Sequence, residues 1–594
     1  MDFLWSASTS MRSPERTFGF LKTISEIDGC EWNKETQMRL QSLLIKNRYY
    51  VPSSKGLKAE LLKKLDNLEY NLSYEEAREI FDAKNYKDPP MRGRTSFDPI
   101  EKMGLVQLDY KEYNGKRKQV VRVTKLGWDF LNSKIKLNDL VFSYLLKFQY
   151  PNPLFDNCPG YNTKPFINTL RLIKTVNELC VEQKMKPKGI SFDEFGIFVL
   201  SIKSFTEVKK KAKDLLEFRK TYDAIGNYSD KRNFRDNYVK SYLPTFKEAV
   251  NNTKEYADNI IRYLRLTNYV YLRGGNRYVD LEPRREIEIN ALLANDDGSA
   301  KHFTEEEYKE YISDYNAYIL PFETKESLNQ IVESIVNEIH NIQSKLEVEK
   351  TSFIIASDVD ELKQQIVLLR EERSKLQNLE LKEEYQPIDK IEETINALKN
   401  INNLGIKPSI ALEKWANISL NIIDDAIMIK PNSPMGDDNE PTFTAPPGVP
   451  DIECFYKGFG LICEVTMLRS RDQWFNEGQP VMRHLRDFED NSNLNSYCLF
   501  VAPKLHQDTI NTFWNAVKYE YQGKKQKIIP LTISQLIEIL EGIKSAKINN
   551  KKITNEEMEK LYSNCSNVSS LQNSLEWQGY VNKQIYIWKN EIAI

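Results

Sequence analysis

A chain of 594 residues and 69.5 kDa lies well past the roughly 250–300 residues at which a single hydrophobic core stops growing, so several domains are expected. With 41% hydrophobic and 28% charged residues, and only 23 Gly and 24 Pro, disordered, collagen-like and mucin-like readings are excluded. The net charge of −2 conceals a split: residues 1–280 carry 49 Lys and Arg against 35 Asp and Glu, and the remainder 34 against 50. A basic half joined to an acidic half fits a chain in which one part meets a polyanion and the other does different work. The bland alternative is that basic faces only confer solubility. No apolar run approaches the roughly 18 residues of a membrane span, and the beginning of the chain lacks the basic-then-apolar order of a signal peptide, which predicts a cytosolic protein. Seven cysteines without a Cys-x-x-Cys, and four histidines (302, 340, 484, 506) without metal-ligand spacing, leave carboxylates as the main ligands of any metal.

In chain order, the first informative stretch spans residues 92–132. A basic segment with Arg92 and Arg94 precedes a strand at 105–108, an Asn114-Gly115 turn, a second strand at 119–123 and a helix. Asn-Gly between alternating apolar runs is the strongest short hairpin signal, and helix plus hairpin is the outline of a winged-helix DNA module. Lys116, Arg117 and Lys118 at its turn would meet phosphates, contributing affinity and register but little sequence information. A second pass begins near Gly189: Ser191-Phe192-Asp193-Glu194 reads as a helix N-cap with first-turn carboxylates, leading into the apolar segment 195–202. A stretch rich in Lys, Arg and Tyr follows, and another hairpin is predicted around Gly274-Gly275-Asn276, flanked by Arg273 and Arg277. Two basic helix-plus-hairpin units in tandem strengthen the DNA-binding reading.

Residues 284–322, with their Asp-Asp-Gly-Ser breaker at 296–299, read as a linker holding one or two short helices. Helical spacing of Leu, Ile and Val at 331–346 and 359–376 predicts a long helical scaffold. From residue 403 the pattern becomes α/β: a helix through Leu412–Trp415, a strand at 426–429 and a proline-rich loop. A tight hairpin with strands at 451–456 and 461–467 follows, then a helix at 472–490, a strand at 497–502, a helix at 507–520, a strand at 528–533 and a helix from Gln535.

The sharpest feature is Pro450-Asp451, then twelve intervening residues, then Glu464-Val465-Thr466. Strand side chains alternate and the turn folds one strand onto the other, so Asp451 and Glu464 can share a sheet face. Two converging carboxylates are costly without a cation, and hard ions such as Mg²⁺ take one or two carboxylates together with phosphate oxygens and water. That arrangement suits metal-assisted phosphodiester hydrolysis. The next helix adds Glu477 and His484, two turns apart on one face: His484 could accept or relay a proton from water, and Glu477 could orient it or complete the metal shell. Each residue has a plain structural alternative, a hairpin-end charge or a surface histidine; their combination in one block favours chemistry.

These residues carry a resemblance. The order of elements resembles a PD-(D/E)xK nuclease core, and more closely the AlwI family of type IIS restriction endonucleases with its nicking members. The similar segments run along nearly the whole chain: Arg12-Ser13-Pro14-Glu15, Gln149-Tyr150-Pro151, Arg262-Tyr263 with Arg265, Phe322-Glu323-Thr324-Lys325, Pro450-Asp451, Glu464-Val465-Thr466, Pro480-Val481 with Arg483-His484, Tyr497–Phe500 with Ala502-Pro503, and Ile529-Pro530-Leu531. The resemblance implies a multidomain α+β protein. Winged-helix-type DNA-recognition domains would occupy residues 1–140 and 141–283, a linker 284–322, and a cleavage domain 323–594, divided into a helical scaffold (323–402) and an α/β PD-(D/E)xK nuclease core (403–594).

It further implies Asp451 and Glu464 as Mg²⁺ ligands, Glu477 and His484 as active-site support, and Glu413 as an outer carboxylate. The superfamily's lysine two residues after the glutamate is Thr466 here, which the resemblance makes a family variant and leaves His484, or a second metal, as the water-activating group. The expected function is sequence-specific, Mg²⁺-dependent cleavage of double-stranded DNA a short distance outside the recognised sequence, with Arg12, Arg92, Arg94 and Arg265 as candidate DNA contacts. One active site cuts one strand, so double-strand cleavage calls for a transient homodimer or a smaller second nuclease subunit, and a cognate DNA methyltransferase is expected in the same bacterial system. The competing reading is a non-catalytic winged-helix DNA-binding regulator with a structural C-terminal α/β domain, which predicts binding without strand scission. A nucleotide-driven enzyme is disfavoured by the lack of a Gly-x-x-x-x-Gly-Lys-Ser/Thr loop.

Overall fold

The computed structural model describes residues 4–6, 11, 13–53, 56–66, 70–113, 115–154, 160–273, 278–404, 408–423, 426–433, 435–437, 441, 445 and 448–593. The chain divides into two compact units, Met1–Ile331 and Val332–Ile594. Among the described residues no helix is long and apolar enough to cross a membrane.

In the first unit the helix Pro89–Lys102 starts where its sequence says it should: Asp88 accepts from the Met91 N–H and prolines fill the first helical positions, whose orphan donors they lack. Phe97 and Ile100 are buried, leaving Arg92 and Arg94 outside. The hairpin that follows pairs β1 (Val106–Tyr113) with β2 (Lys116–Val123), antiparallel, from Val106 opposite Val123 to Tyr113 opposite Lys116. It is longer than the apolar residues alone predict, because the backbone ladder continues through polar Tyr110, Lys111 and Glu112 into a solvated ribbon. Gly115 takes φ 71, the left-handed conformation that glycine adopts without steric cost; Asn114 lies outside the described residues. Glu31, between the helices Thr17–Ser25 and Lys34–Lys46, makes an isolated antiparallel bridge to Val120 on the β2 edge.

The same order recurs further along. After the helix Pro165–Glu182 comes β3 (Ile190–Ser191), then three helices, Val208–Ala224, Tyr228–Tyr242 and Ala249–Leu266, then the hairpin β4 (Val270–Arg273) and β5 (Tyr278–Leu281). β3 pairs with β5, giving the order β3-β5-β4, the counterpart of the Glu31 segment on β2. The predicted turn at 274–276 lies outside the described residues. Ser191 and Glu194 form a reciprocal capping box, after which the helix widens into a π-type turn over Phe195–Val199. Buried Arg219 grips Glu194 with two parallel bonds of 2.7 and 2.8 Å and donates to the Gly189 carbonyl at 2.6 Å, tying the cap to the strand before it.

The expected linker, 284–322, holds the helices Glu286–Asn295 and Glu305–Ser313. Ile289, Leu292, Tyr308 and Ile312 are buried, and Lys147 donates to the Ile312 and Asp314 carbonyls at 2.9 and 2.7 Å. The segment is thus built into the first unit: its few apolar residues recur at helical spacing, a signal hidden by the charged background.

The second unit has the long helix Val359–Glu384 and a five-stranded sheet. Its strands are β6 (Met428–Pro431), β7 (Ile452–Phe455), β8 (Phe459–Val465), β9 (Asn495–Ala502) and β10 (Ile528–Thr532), in the order β10-β9-β8-β7-β6. β6 with β7 and β7 with β8 pair antiparallel, whereas β8 with β9 and β9 with β10 pair parallel. Parallel strands need crossovers, supplied here by the helices Arg471–Ser492 and Gln507–Lys518. Strands covered on both faces are mostly apolar, as in β8, where six of seven residues are buried and Glu464 is the one charged residue among them. The helix Pro408–Ile423 packs on β8, so the C-terminal end of β8 emerges between well-packed layers.

Candidate active site

β7 and β8 pair with Ile452 opposite Cys463, which sets Asp451, the residue before β7, opposite Glu464 on one face of the sheet. The same-face expectation therefore holds. Asp451 is fixed at three points: its Oδ2 accepts from the Val465 N–H at 2.7 Å, its carbonyl accepts from the Asn432 N–H at 2.9 Å, and the Asn432 side-chain amide donates to the Pro450 carbonyl at 2.9 Å. Asn432 is a positioning residue that sequence reading missed, since nothing in a proline-rich loop marks it.

The helix Arg471–Ser492 brings in the other two groups. His484 Nδ1 lies 2.7 Å from Glu464 Oε1, and its Nε2 is buried without a hydrogen-bond partner. Glu477, two turns earlier, receives a side-chain hydrogen bond from Thr466. Thr466 therefore contacts the acid cluster through its hydroxyl, and that hydroxyl oxygen also accepts from the Leu468 N–H at 3.2 Å. Glu413, on the helix Pro408–Ile423, is buried and accepts from the Ala445 N–H at 3.1 Å, which anchors it to the loop that leads to Asp451.

Three acids share this dry space, and their ionisation reflects it. Burial, and then the charge of Glu464, push the Asp451 carboxyl up to about 8. Burial, and then Glu477, hold Glu464 well above the ordinary carboxylate range. Burial raises Glu477 to about 7, against the opposing pull of Thr466. His484 is lowered by burial and by the Arg483 guanidinium, which favours the neutral ring. Crowded, desolvated carboxyls with an unpartnered imidazole nitrogen beside them are the chemistry of a cation site, and the hard oxygen donors present fit Mg²⁺. Among the described residues no group of three or more His, Cys, Asp or Glu is arranged to enclose an ion. An ion held by Asp451 and Glu464 would keep positions for water and phosphate oxygens.

A stability consequence follows. Carboxyls raised by folding contribute stability that is present at low pH and lost as pH rises from about 4, their unfolded value, through the folded values near 7 for Glu477 and 8 for Asp451. The melting temperature of metal-free protein should fall between pH 5 and 8.5. An Asp451→Asn, Glu477→Gln variant should lose less over that range, and millimolar divalent cation should restore the wild-type value at the alkaline end. Equal slopes in variant and wild type would contradict the arrangement.

Among the other expected contacts, Arg92, Lys116 and Arg117 are exposed, with Arg92 over the Tyr86 ring at 4.4 Å and Arg117 over Tyr110 at 4.0 Å. Arg94 is held by Asp88 and Gln37, both at 2.9 Å, and Lys118 by Glu31 at 2.6 Å. Arg12 lies outside the described residues. Arg265 is only 6% exposed; it faces the interior of its helix packing and is set aside as a DNA contact.

The five-stranded sheet thus sets the Asp451–Glu464 pair beside the crossover helix Arg471–Ser492. Residues 101–539 match the AlwI restriction endonuclease family. With well over half of its length matched, the chain belongs to that family, a family of restriction endonucleases whose substrate is DNA. A comparison with curated proteins gives no match. Among solved structures, the small subunit R.BspD6I2 of the heterodimeric restriction endonuclease R.BspD6I aligns with 33% of this chain and 98% of its own, at 17% identity and a TM-score of 0.29, too slight a likeness to build on.

Proposed function

We propose that the protein is a Mg²⁺-dependent, sequence-specific endonuclease of the type IIS or nicking kind, which reads double-stranded DNA with its first unit and hydrolyses one phosphodiester, outside the recognised sequence, with its second. The observation that carries this reading is the convergence of Asp451, Glu464, Glu477 and His484 at the end of one strand pair, with burial that makes their negative charges unsustainable without a cation. A bound Mg²⁺ supplies polarisation of the phosphate and a lowered pKa for the attacking water. Asp451 and Glu464 would hold it. Glu464 in its ionised form accepts from His484 Nδ1–H, which fixes the tautomer and leaves Nε2 as a lone-pair acceptor able to take a proton from water. Glu477, steadied by Thr466, completes the polar wall.

The recognition half is read as two winged-helix-type modules because the short strand, helices and basic hairpin recur in the same order, on the half of the chain with excess positive charge. Exposed wing-tip cations act on phosphates, so Lys116→Ala combined with Arg117→Ala should weaken DNA binding about equally for all sequences. The salt dependence, log K against log [salt], should become shallower by about 0.9 for each phosphate the variant leaves unneutralised. A change confined to the specific sequence would instead make them base readers.

A single site cuts a single strand, so the isolated chain should nick, with double-strand cleavage depending on a second copy or a smaller subunit. A cognate methyltransferase would protect host DNA. The direct test is plasmid incubation with Mg²⁺ and with EDTA, followed by run-off sequencing of the products. Discrete ends at a constant offset from a common sequence are expected only with the ion. Binding without scission would favour the regulator instead.

A further inference from the structure

Beyond the acid cluster, residues past the end of β8 line a groove of about 450 Å³ together with the entry to the helix Pro408–Ile423: Asn402, Pro408, Ser409, Met467 and Arg469. It belongs to the same neighbourhood as the acids, since Arg469 is three residues beyond Thr466 and three residues span at most about 11 Å. The segment carrying Arg469 is anchored: Gln473, fully buried, donates to the Leu468 and Lys504 carbonyls, both at 2.8 Å. Arg469 itself is exposed and, among the described residues, has no carboxylate partner. The Ser409 hydroxyl is buried and has no hydrogen-bond partner, an expensive condition that a turn about χ1 towards the groove would relieve.

We infer that this groove holds a phosphate of the strand being cut, next to the scissile one, with Arg469 as its charged clamp and Ser409 as a second donor. The inference rests on the nuclease reading. Its physical ground is charge: the strand is a polyanion, and the exposed Arg469 guanidinium in the groove is a fixed cation a few residues beyond the acids. A guanidinium on an anchored segment supplies two parallel donors in phosphate geometry. The clamp positions the strand and takes no part in proton transfer.

The test pairs protein and DNA changes. Duplexes containing the cut site are made with a neutral methylphosphonate at each position flanking the scissile bond and offered to wild type, Arg469→Ala and Arg469→Lys, with melting temperature as the control for folding. For wild type, one position beside the cut should raise KM about tenfold while kcat changes less than threefold. In Arg469→Ala that position should lose its effect, with KM on normal DNA already raised by a similar factor, and Arg469→Lys should fall between. Ser409→Ala should raise KM two- to fivefold. Identical methylphosphonate profiles for wild type and Arg469→Ala, or a fall in kcat at unchanged KM, would overturn the proposal. If wild type cuts nothing, the nuclease reading fails. The clamp is then judged alone from binding of sheared plasmid DNA, where Arg469→Ala should flatten the salt dependence by about one phosphate and an unchanged slope would overturn it.

Discussion

Asp451→Asn and Glu464→Gln should each stop strand cleavage, by at least about 10³-fold, while leaving DNA binding intact or slightly tighter. The changes are nearly isosteric, so neither leaves a void. Each turns one of the two carboxylates that face each other across β7 and β8 into a neutral amide, a much weaker ligand for a hard cation. Asp451 cannot be replaced by a neighbour, because its backbone is pinned by Asn432 and its Oδ2 by the Val465 N–H. Glu464 cannot be replaced either, since its Oε1 is already engaged by His484. Binding should persist because the basic surface lies in the other unit and loss of a negative charge reduces repulsion of phosphates. Cleavage of supercoiled plasmid alongside a gel-shift titration checks both halves of the expectation, and substantial cutting by either variant would remove the site assignment.

The second large effect concerns His484. His484→Ala should cost about 10²–10⁴-fold in kcat, the span of a general base, and His484→Asn should cost nearly as much although its amide can still donate to Glu464. The pair separates two roles: the asparagine variant should keep the ion affinity that the alanine variant loses, because the Glu464 carboxylate stays oriented, while neither has a nitrogen able to accept a proton. The pH profile adds a readout. With the ring's pKa lowered by burial and by Arg483, kcat at saturating Mg²⁺ should hold to below the ordinary histidine value of about 6.5. Apparent ion affinity should fall as pH drops through 8 and 7, where Asp451 and Glu477 take up protons. A wild-type kcat that already falls above 6.5 would assign the proton acceptor elsewhere.

Much of this site is legible in the amino-acid order alone. Pro450-Asp451 and Glu464 lie on opposite arms of a short hairpin whose Lys457–Gly460 turn leaves only one plausible pairing, and strand alternation does the rest. The hairpin at 106–123 is legible for the same reason, through Asn114-Gly115. What sequence does not reveal is set by tertiary packing. Arg265 looks like any other cation on a basic stretch, yet the helix Ala249–Leu266 turns it inward. Residues 284–322 look like a linker because a few apolar positions among many charges are enough to dock two short helices. Glu31 bridges to β2 through its backbone and a single ion pair to Lys118, which leaves no periodic trace in the side-chain pattern. Thr466 looks like a missing lysine, and only the position of the next helix gives its hydroxyl a partner in Glu477.

The repeated strand, helix and ribbon order in the first unit bears on what kind of target such a chain can select. A dimer of identical readers imposes its own symmetry, and its target reads the same on both strands. Two unlike readers fused in one polypeptide carry no rotation axis. The proposed target is therefore directional, a word rather than a palindrome, and it tells the enzyme which of the two strands lies beneath its blade.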